Sequence, residues 1–526
     1  MIRQEIRDLI SKSAKELQQK GILPSFDFSR IRIERPEVKE KGDFSTSLAM
    51  ILSKEAKKQP LEIAEFLKSK ISDKGFFEKV EAVGPGFLNF FLSPETLQKQ
   101  VKEILEKKDK YGELETGQNK KVNVEFVSAN PTGPLTLGNG RGGFCGDVLT
   151  NVLNKAGYKA KKEYYVNDTG EQVRKLGHSV LGDEQAVYKG KYIEDLRKRV
   201  KGDKADEVGE KAAQIILEEM IKPSVRKMGI DFDVWFSEKS LYKRNKISKV
   251  LDFLKKKGLS YEKDNALWFK STDFKDDKDR VLIKAGGETT YLASDAAYLK
   301  DKAERGFERF IYIWGADHFG YVERVKAMAQ ALGIKSEPEI IIMQLVRLFE
   351  GGQEVRMSKR TGVYVVLDEL INEVGVDVAR YFFLTRSPGT HLNFDLGLAK
   401  QQTEKNPVFY IQYAHARICS ILRKSNGLKP STENLGLLKE KSEQDLIKKL
   451  IQLPEIVEDV SSDFQVQRLP QYALELASSF HRFYQECKVV SDDKKLSQAR
   501  LALVLAAKIV LKNTLSLMGI SAPEKM

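Results

Sequence analysis

The stretch Val124-Glu-Phe-Val-Ser-Ala-Asn-Pro-Thr-Gly-Pro-Leu-Thr-Leu-Gly-Asn-Gly-Arg141 decides the fold. An apolar, β-branched run leads into a Pro/Gly-rich turn and then into a glycine-dense helix expected to end near Leu153. A strand feeding a helix start in this way leaves unpaired N–H groups and the positive end of a helix dipole facing one point, where a phosphate is stabilised. About 220 residues later, Arg356-Met-Ser-Lys-Arg360 follows a Gly-Gly pair and precedes Thr361-Gly362. Two phosphate-seeking elements so far apart suggest one nucleotide site with a basic loop over it.

Around this centre the chain alternates. Short apolar runs at Val122–Val127, Glu163–Val166, Phe310–Trp314 and Ile340–Met343 are separated by helical patterns. The alternation predicts a Rossmann-like α/β domain, a parallel sheet with crossover helices, over 113–400. A lysine- and glutamate-rich stretch near 185–275 reads as an insertion between two halves of that sheet. Residues 1–112 form a small α+β unit, with helical spacing near 3–20, 45–57 and 60–71 and strand character over 76–93. Residues 401–526 are almost purely helical, with apolar positions at i, i+3 and i+4 through 406–423, 444–460, 470–488 and 496–518, and predict an all-α bundle.

The 526 residues are 41% hydrophobic, enough for a core in each of three domains. The net charge of +13 fits a polyanionic partner, although a lysine-rich surface explains it equally well. Cys145, Cys419 and Cys487 are the only cysteines and none forms a C-x-x-C pair, which argues against structural zinc and against a disulfide framework. No apolar run reaches the roughly 18–20 residues of a membrane span, and residues 1–20 fit neither a signal nor a transit peptide, so a cytoplasmic protein is expected.

Thr136-Leu-Gly-Asn139 resembles the first signature of class I aminoacyl-tRNA synthetases, usually His-x-Gly-His, and Arg356–Arg360 resembles the second, Lys-Met-Ser-Lys-Ser. The flanks narrow the resemblance to the arginyl-tRNA synthetase family. Ser128–Pro134, Tyr165–Gln172, Tyr291-Leu-Ala-Ser-Asp295, Gly315-Ala-Asp-His318 and Asn406–Arg417 are similar to that family. So are Gly42-Asp43, Gly84–Asn89 and the terminal Gly519–Met526. The series covers nearly the whole chain in the family's order.

The resemblance implies an arginine–tRNA ligase that couples arginine to ATP as an adenylate and passes the arginyl group to tRNA(Arg). It implies catalytic roles for Thr136, Asn139, Arg356 and Lys359, and ATP contacts from Gly138, Gly140, Gly315, Asp317, His318, Met357, Ser358 and Lys359. Magnesium is expected only as the companion of ATP, with no structural metal. Glu125 and Asp295 are expected to face the arginine guanidinium, with Asn130 and Tyr291 lining the pocket. Glu125 supports this independently, because a charge in an apolar strand needs a cationic partner; a structural salt bridge is the other way to supply one. Tyr410, Arg417 and Phe483 are candidates for tRNA contact, although their helical spacing also suits a core. The N-terminal unit is expected at the tRNA elbow, and a monomer is the family's usual state.

Thr136 and Asn139 replace both usual histidines, and Arg356 replaces a lysine. Thr and Asn remain hydrogen-bond donors. The departures leave a catalytically silent tRNA-binding paralogue as the competing reading.

Overall fold

The computed structural model describes residues 1–71, 75–355, 366–425 and 427–526. Its centre is a five-stranded sheet made of β1 (Lys121–Glu125), β2 (Lys159–Val166), β3 (Val234–Ser237), β4 (Arg309–Gly315) and β5 (Glu339–Met343). The order is β5-β4-β1-β2-β3, and every neighbouring pair is parallel. From β1 the chain builds outward through β2 and β3, then returns to lay β4 on the other side of β1. Strand order therefore reverses between β1 and β4, and the carboxyl ends of these two strands open a crevice suited to a ligand.

Helix α1 (Leu137–Lys155) joins β1 to β2, and α2 (Tyr291–Glu304) precedes β4. The glycines of α1 are packing residues. A Cβ on Gly146 would collide with the Phe126 ring, and one on Gly143 would lie 2.5 Å from Met228 Cε. Only bare backbone lets this helix lie so close to the sheet.

The four strands expected from apolar runs are all present. The stretch near 185–275 differs from a simple insertion, because it supplies β3, the edge strand of the main sheet. The remainder of that stretch forms helices and, with Arg280–Ile283, a separate three-stranded antiparallel sheet. β3 is only Val234-Trp-Phe-Ser237, too short to stand out in a charged neighbourhood.

The N-terminal unit holds a three-stranded antiparallel sheet with Phe87–Leu92 in the middle, covered by helices that include Ile2–Gln19 and Pro60–Lys70. The C-terminal bundle comprises α3 (Pro407–Arg423), α4 (Lys441–Leu450), α5 (Leu453–Asp463), α6 (Arg468–Glu486) and α7 (Lys494–Leu517). The single helix expected over 444–460 is two, and Pro454 stands in the first turn of the second, where its missing N–H costs nothing. The N-terminal unit docks on the bundle through ions: Arg35 donates to both carboxylate oxygens of Glu455 at 2.7 and 2.8 Å, and Lys448 lies 2.8 Å from Asp43. Among the described residues no helix is long and apolar enough to cross a membrane.

Candidate active site

Immediately after β1 the backbone leaves ordinary conformations, with φ of 65° at Val127 and 38° at Ser128. Positive φ at a β-branched residue is costly and is sustained here by the surrounding packing. The chain then turns to start α1. Thr136 is the N-cap of that helix, in a reciprocal box: Thr136 N and its hydroxyl both donate to Asn139 Oδ1 at 2.9 Å, and the Thr136 oxygen accepts from Asn139 N at 3.5 Å. The pair thus organises the helix start. Asn139 Nδ2 has no partner among the described residues, so one amide donor is left over.

The two glycines here diverge. Gly138 is exposed, and a Cβ there would meet Thr136 Oγ1 at an ordinary 3.7 Å. Gly140 is buried: a Cβ there would lie 2.5 Å from Leu367 Cδ1, so its missing side chain makes room for the helix that begins at Leu367. Leu367 N also donates to Leu135 O at 3.0 Å, and Val366 bridges Thr136. The segment that follows the second signature therefore sits directly on the first. Arg356, Met357, Ser358 and Lys359 lie outside the described residues.

On the other side of the crevice, β4 ends at Gly315. Asp317 Oδ1 folds back so that a Cβ on Gly315 would be 2.5 Å away. Asp317 and His318 lie on the exposed rim, 3.5 Å apart, with the His318 ring 5.9 Å from that of Trp314.

The wall between β1, β3 and α2 is acidic. Glu125 is buried, and its Oε2 accepts from Lys302 Nζ at 2.6 Å; Lys302 is 0% exposed. The structural ion pair considered for Glu125 is thus present. It leaves Glu125 Oε1 with only a 3.3 Å hydrogen bond from Ser128. Asp295 has no hydrogen-bonding or ionic partner among the described residues. Burial, with the like charges of Glu238 and Glu125, pushes its carboxyl up to about 7, against the opposing pull of Lys302. Below this layer Glu163 is held by Arg305, Tyr298 and Asn123. Burial acts to raise its carboxyl, but Arg305 and Lys302 overcome that and keep it below the usual range.

Tyr291 and Asn130 are exposed, Tyr291 in the first turn of α2. Asp168 joins the ends of β2 and β3, accepting from Ser237 Oγ at 2.5 Å and Lys239 N at 2.9 Å.

Sequence reasoning missed Lys302 and Glu238. Lys302 was findable, since Tyr291, Asp295, Tyr298 and Lys302 fall at i, i+4, i+7 and i+11 on one helix face. Glu238 follows a short apolar strand, the pattern that singled out Glu125.

In the bundle, Tyr410 lies against His481 with ring centroids 4.8 Å apart and planes tilted by 53°. Arg417 lies over the rings of Tyr413 and Tyr484, at 4.6 and 5.2 Å. Tyr413, Arg417 and Tyr484 border a groove of about 960 Å³ that Arg423, Lys424 and Lys488 also line. Phe483 is a correction. It is 0% exposed, so its ring belongs to the core, and the neighbouring Tyr484 presents the aromatic face instead.

Three family descriptions match the chain in order: "Arginyl tRNA synthetase N terminal domain" over residues 3–92, "tRNA synthetases class I (R), catalytic domain" over 100–382, and "DALR anticodon binding domain" over 411–526. An arginine–tRNA ligase of Caldanaerobacter subterraneus is 46% identical across 100% of this chain and 99% of its own. One from Carboxydothermus hydrogenoformans is 45% identical across 96% of each. The crystal structure of a putative arginyl-tRNA synthetase from Campylobacter jejuni superposes with a TM-score of 0.74 at 34% identity, covering 83% of this chain and 100% of that one. With a class I sheet, its signature helix start and a helical C-terminal bundle all in place, this chain belongs to the arginyl-tRNA synthetase family.

Proposed function

We propose that the chain activates arginine with ATP and transfers it to the 3′ end of tRNA(Arg). In the first step an oxygen of the arginine carboxylate attacks the α-phosphorus of ATP; the bond to the β-phosphate oxygen breaks and pyrophosphate leaves. A terminal ribose hydroxyl of tRNA then attacks the arginyl carbonyl, loses its proton and expels AMP. Positioning and charge stabilisation carry both steps.

The observation that carries this reading is the Asp295 carboxylate, without a hydrogen-bonding partner among the described residues, beside the Glu125–Lys302 pair, at the point where strand order reverses. A planar guanidinium is the cation that meets two carboxylates edge-on. The helix start at Thr136 is assigned the phosphate, with Asn139 Nδ2 and the exposed Gly138 backbone as donors, and Asp317 is assigned the ribose hydroxyls. Lys359, assisted by Arg356, is assigned the charge that develops on the leaving pyrophosphate, with Met357 and Ser358 against ATP and His318 at its rim. Mg²⁺ arrives with ATP. Tyr410, Arg417 and the groove beside them are assigned to tRNA, residues 1–112 to the tRNA elbow, and the working state to a cytoplasmic monomer.

The test is pyrophosphate exchange by the purified protein with each of the twenty amino acids, with and without bulk tRNA. Exchange that needs arginine and tRNA is the expected result. Exchange with a different amino acid overturns the specificity, and none at all identifies a silent paralogue.

A further inference from the structure

Four lysine or arginine side chains are buried among the described residues: Arg141, Lys302, Arg380 and Arg500. Three of them have a carboxylate. Lys302 has Glu125, Arg380 has Asp147 at 2.7 Å, and Arg500 has Glu443 at 2.7 Å. Arg141 is 1% exposed and has none among the described residues. Its guanidinium donates to Gln344 O at 2.8 Å and Ser387 O at 3.0 Å, and its Nε is buried without a partner. Burial pulls it below the ordinary arginine range. The group that opposes this is the Cys145 thiol, itself pushed up to about 12 by burial and so uncharged.

A buried charge without a counterion is strongly destabilising, and the position of this one adds to the cost. Arg141 is the fifth residue of α1, close behind the positive end of the helix dipole, where an anion is favoured over a cation. Gln344 directly follows β5, whose Met343 pairs with Gly315 at the end of β4. The guanidinium is therefore lodged at the carboxyl ends of the strands, between the first signature and Gly315. Resting on the assignment of this crevice to ATP, we infer that Arg141 is a positioning residue for the polyphosphate, a charge left unpaired in the fold and compensated when the phosphates arrive. It acts through the packed helix start without touching the nucleotide. Protein between the two screens a charge far less than water does, so its field reaches the crevice. A carboxylate beside it, as at Arg380, would cancel that field; two carbonyls hold the guanidinium in place and leave its charge whole.

The experiment measures dissociation constants of the full chain, directly or by competition, for adenosine, AMP, ATP and inorganic tripolyphosphate at fixed magnesium and salt. In Arg141→Met the Kd for ATP and for tripolyphosphate is expected to rise about tenfold or more, while that for adenosine stays within about twofold. Arg141→Lys restores the charge with a different donor geometry, and its ATP Kd is expected within about threefold of the wild type. A purely structural role gives a different pattern: adenosine and ATP weaken equally in Arg141→Met, and lysine does not rescue. Either of these results overturns the inference, as does unchanged ATP binding in Arg141→Met. If Arg141→Met does not fold, Arg141→Lys decides, since loss of its ATP affinity refutes a role through charge and retention supports it. A wild type that binds neither ATP nor tripolyphosphate overturns the assignment of the crevice and this inference with it.

Discussion

Lys302 Nζ donates to Glu125 Oε2 across 2.6 Å, and neither group sees appreciable solvent. The lysine comes from a helix and the glutamate from the central strand, 177 residues apart. The pair explains how a charged residue survives in a strand buried on both faces. Under the proposed function Glu125 has two jobs, one toward Lys302 and one toward arginine.

Glu125→Gln therefore has two expected consequences. Arginine KM in pyrophosphate exchange rises by about tenfold or more, since a charge-assisted hydrogen bond is lost, while ATP KM stays within about twofold. Thermal or urea unfolding shows a loss of about 3–5 kcal/mol, because Lys302 is left buried without its anion. An equal rise in ATP KM removes Glu125 from the arginine side of the site.

Asp295 gives a pH signature in stability. Its folded carboxyl lies near 7, above the unfolded value of 3.8. A raised group stabilises fully below the unfolded value and loses that contribution as pH climbs through the folded one. The ligand-free protein is thus expected to lose stability between about pH 4 and 7, and Asp295→Asn to flatten that slope by on the order of 2 kcal/mol. Urea midpoints measured at pH 5 and 8 check this; a wild-type slope that survives the substitution rules it out.

Asn139 separates capping from chemistry. In Asn139→Asp an acceptor oxygen remains for Thr136 at the helix start, where negative charge is tolerated, but the amide donor becomes an anion facing phosphate. Stability is expected to hold within about 1 kcal/mol while kcat falls by about 10²–10³. Thr136→Val is the converse, costing about 1 kcal/mol of stability through loss of the cap. If Asn139→Asp keeps wild-type kcat, the residue is only a cap.

At the bundle, Arg417→Ala and Tyr484→Ala are expected to raise the KM for tRNA about tenfold each without moving arginine KM, since base–aromatic stacking and phosphate contact are worth about 1–3 kcal/mol. Phe483→Ala instead costs about 3–5 kcal/mol of stability as a buried aromatic truncation. Nitrocellulose-filter binding of tRNA beside unfolding curves distinguishes the two outcomes.

Much of this molecule was legible before any coordinates. Phe310–Trp314, the heart of β4, is an unbroken apolar run paired in parallel on both sides, and it needs no alternation to be seen. The helix start at Thr136 is equally local, because a capping box joins residues three apart. β3 was hidden by its length, and the split between α4 and α5 turned on a single proline.

The sequence by itself determined the order of elements, the family and which residue types reach the crevice, since all of these depend on spacing along one chain. Tertiary structure alone decided what those residues touch. Gly140 and Gly138 are chemically identical, yet the first is closed off by Leu367 and the second is exposed, with Thr136 Oγ1 at an ordinary contact distance. Phe483 and Tyr484 are adjacent, and the 100° step between successive helix residues turns one into the core and the other toward the groove. Glu125 was marked as a buried charge in need of a cation. That Lys302 supplies one follows from β1 and α2 converging across the sheet, and pairing over such distances leaves no periodic trace in the chain.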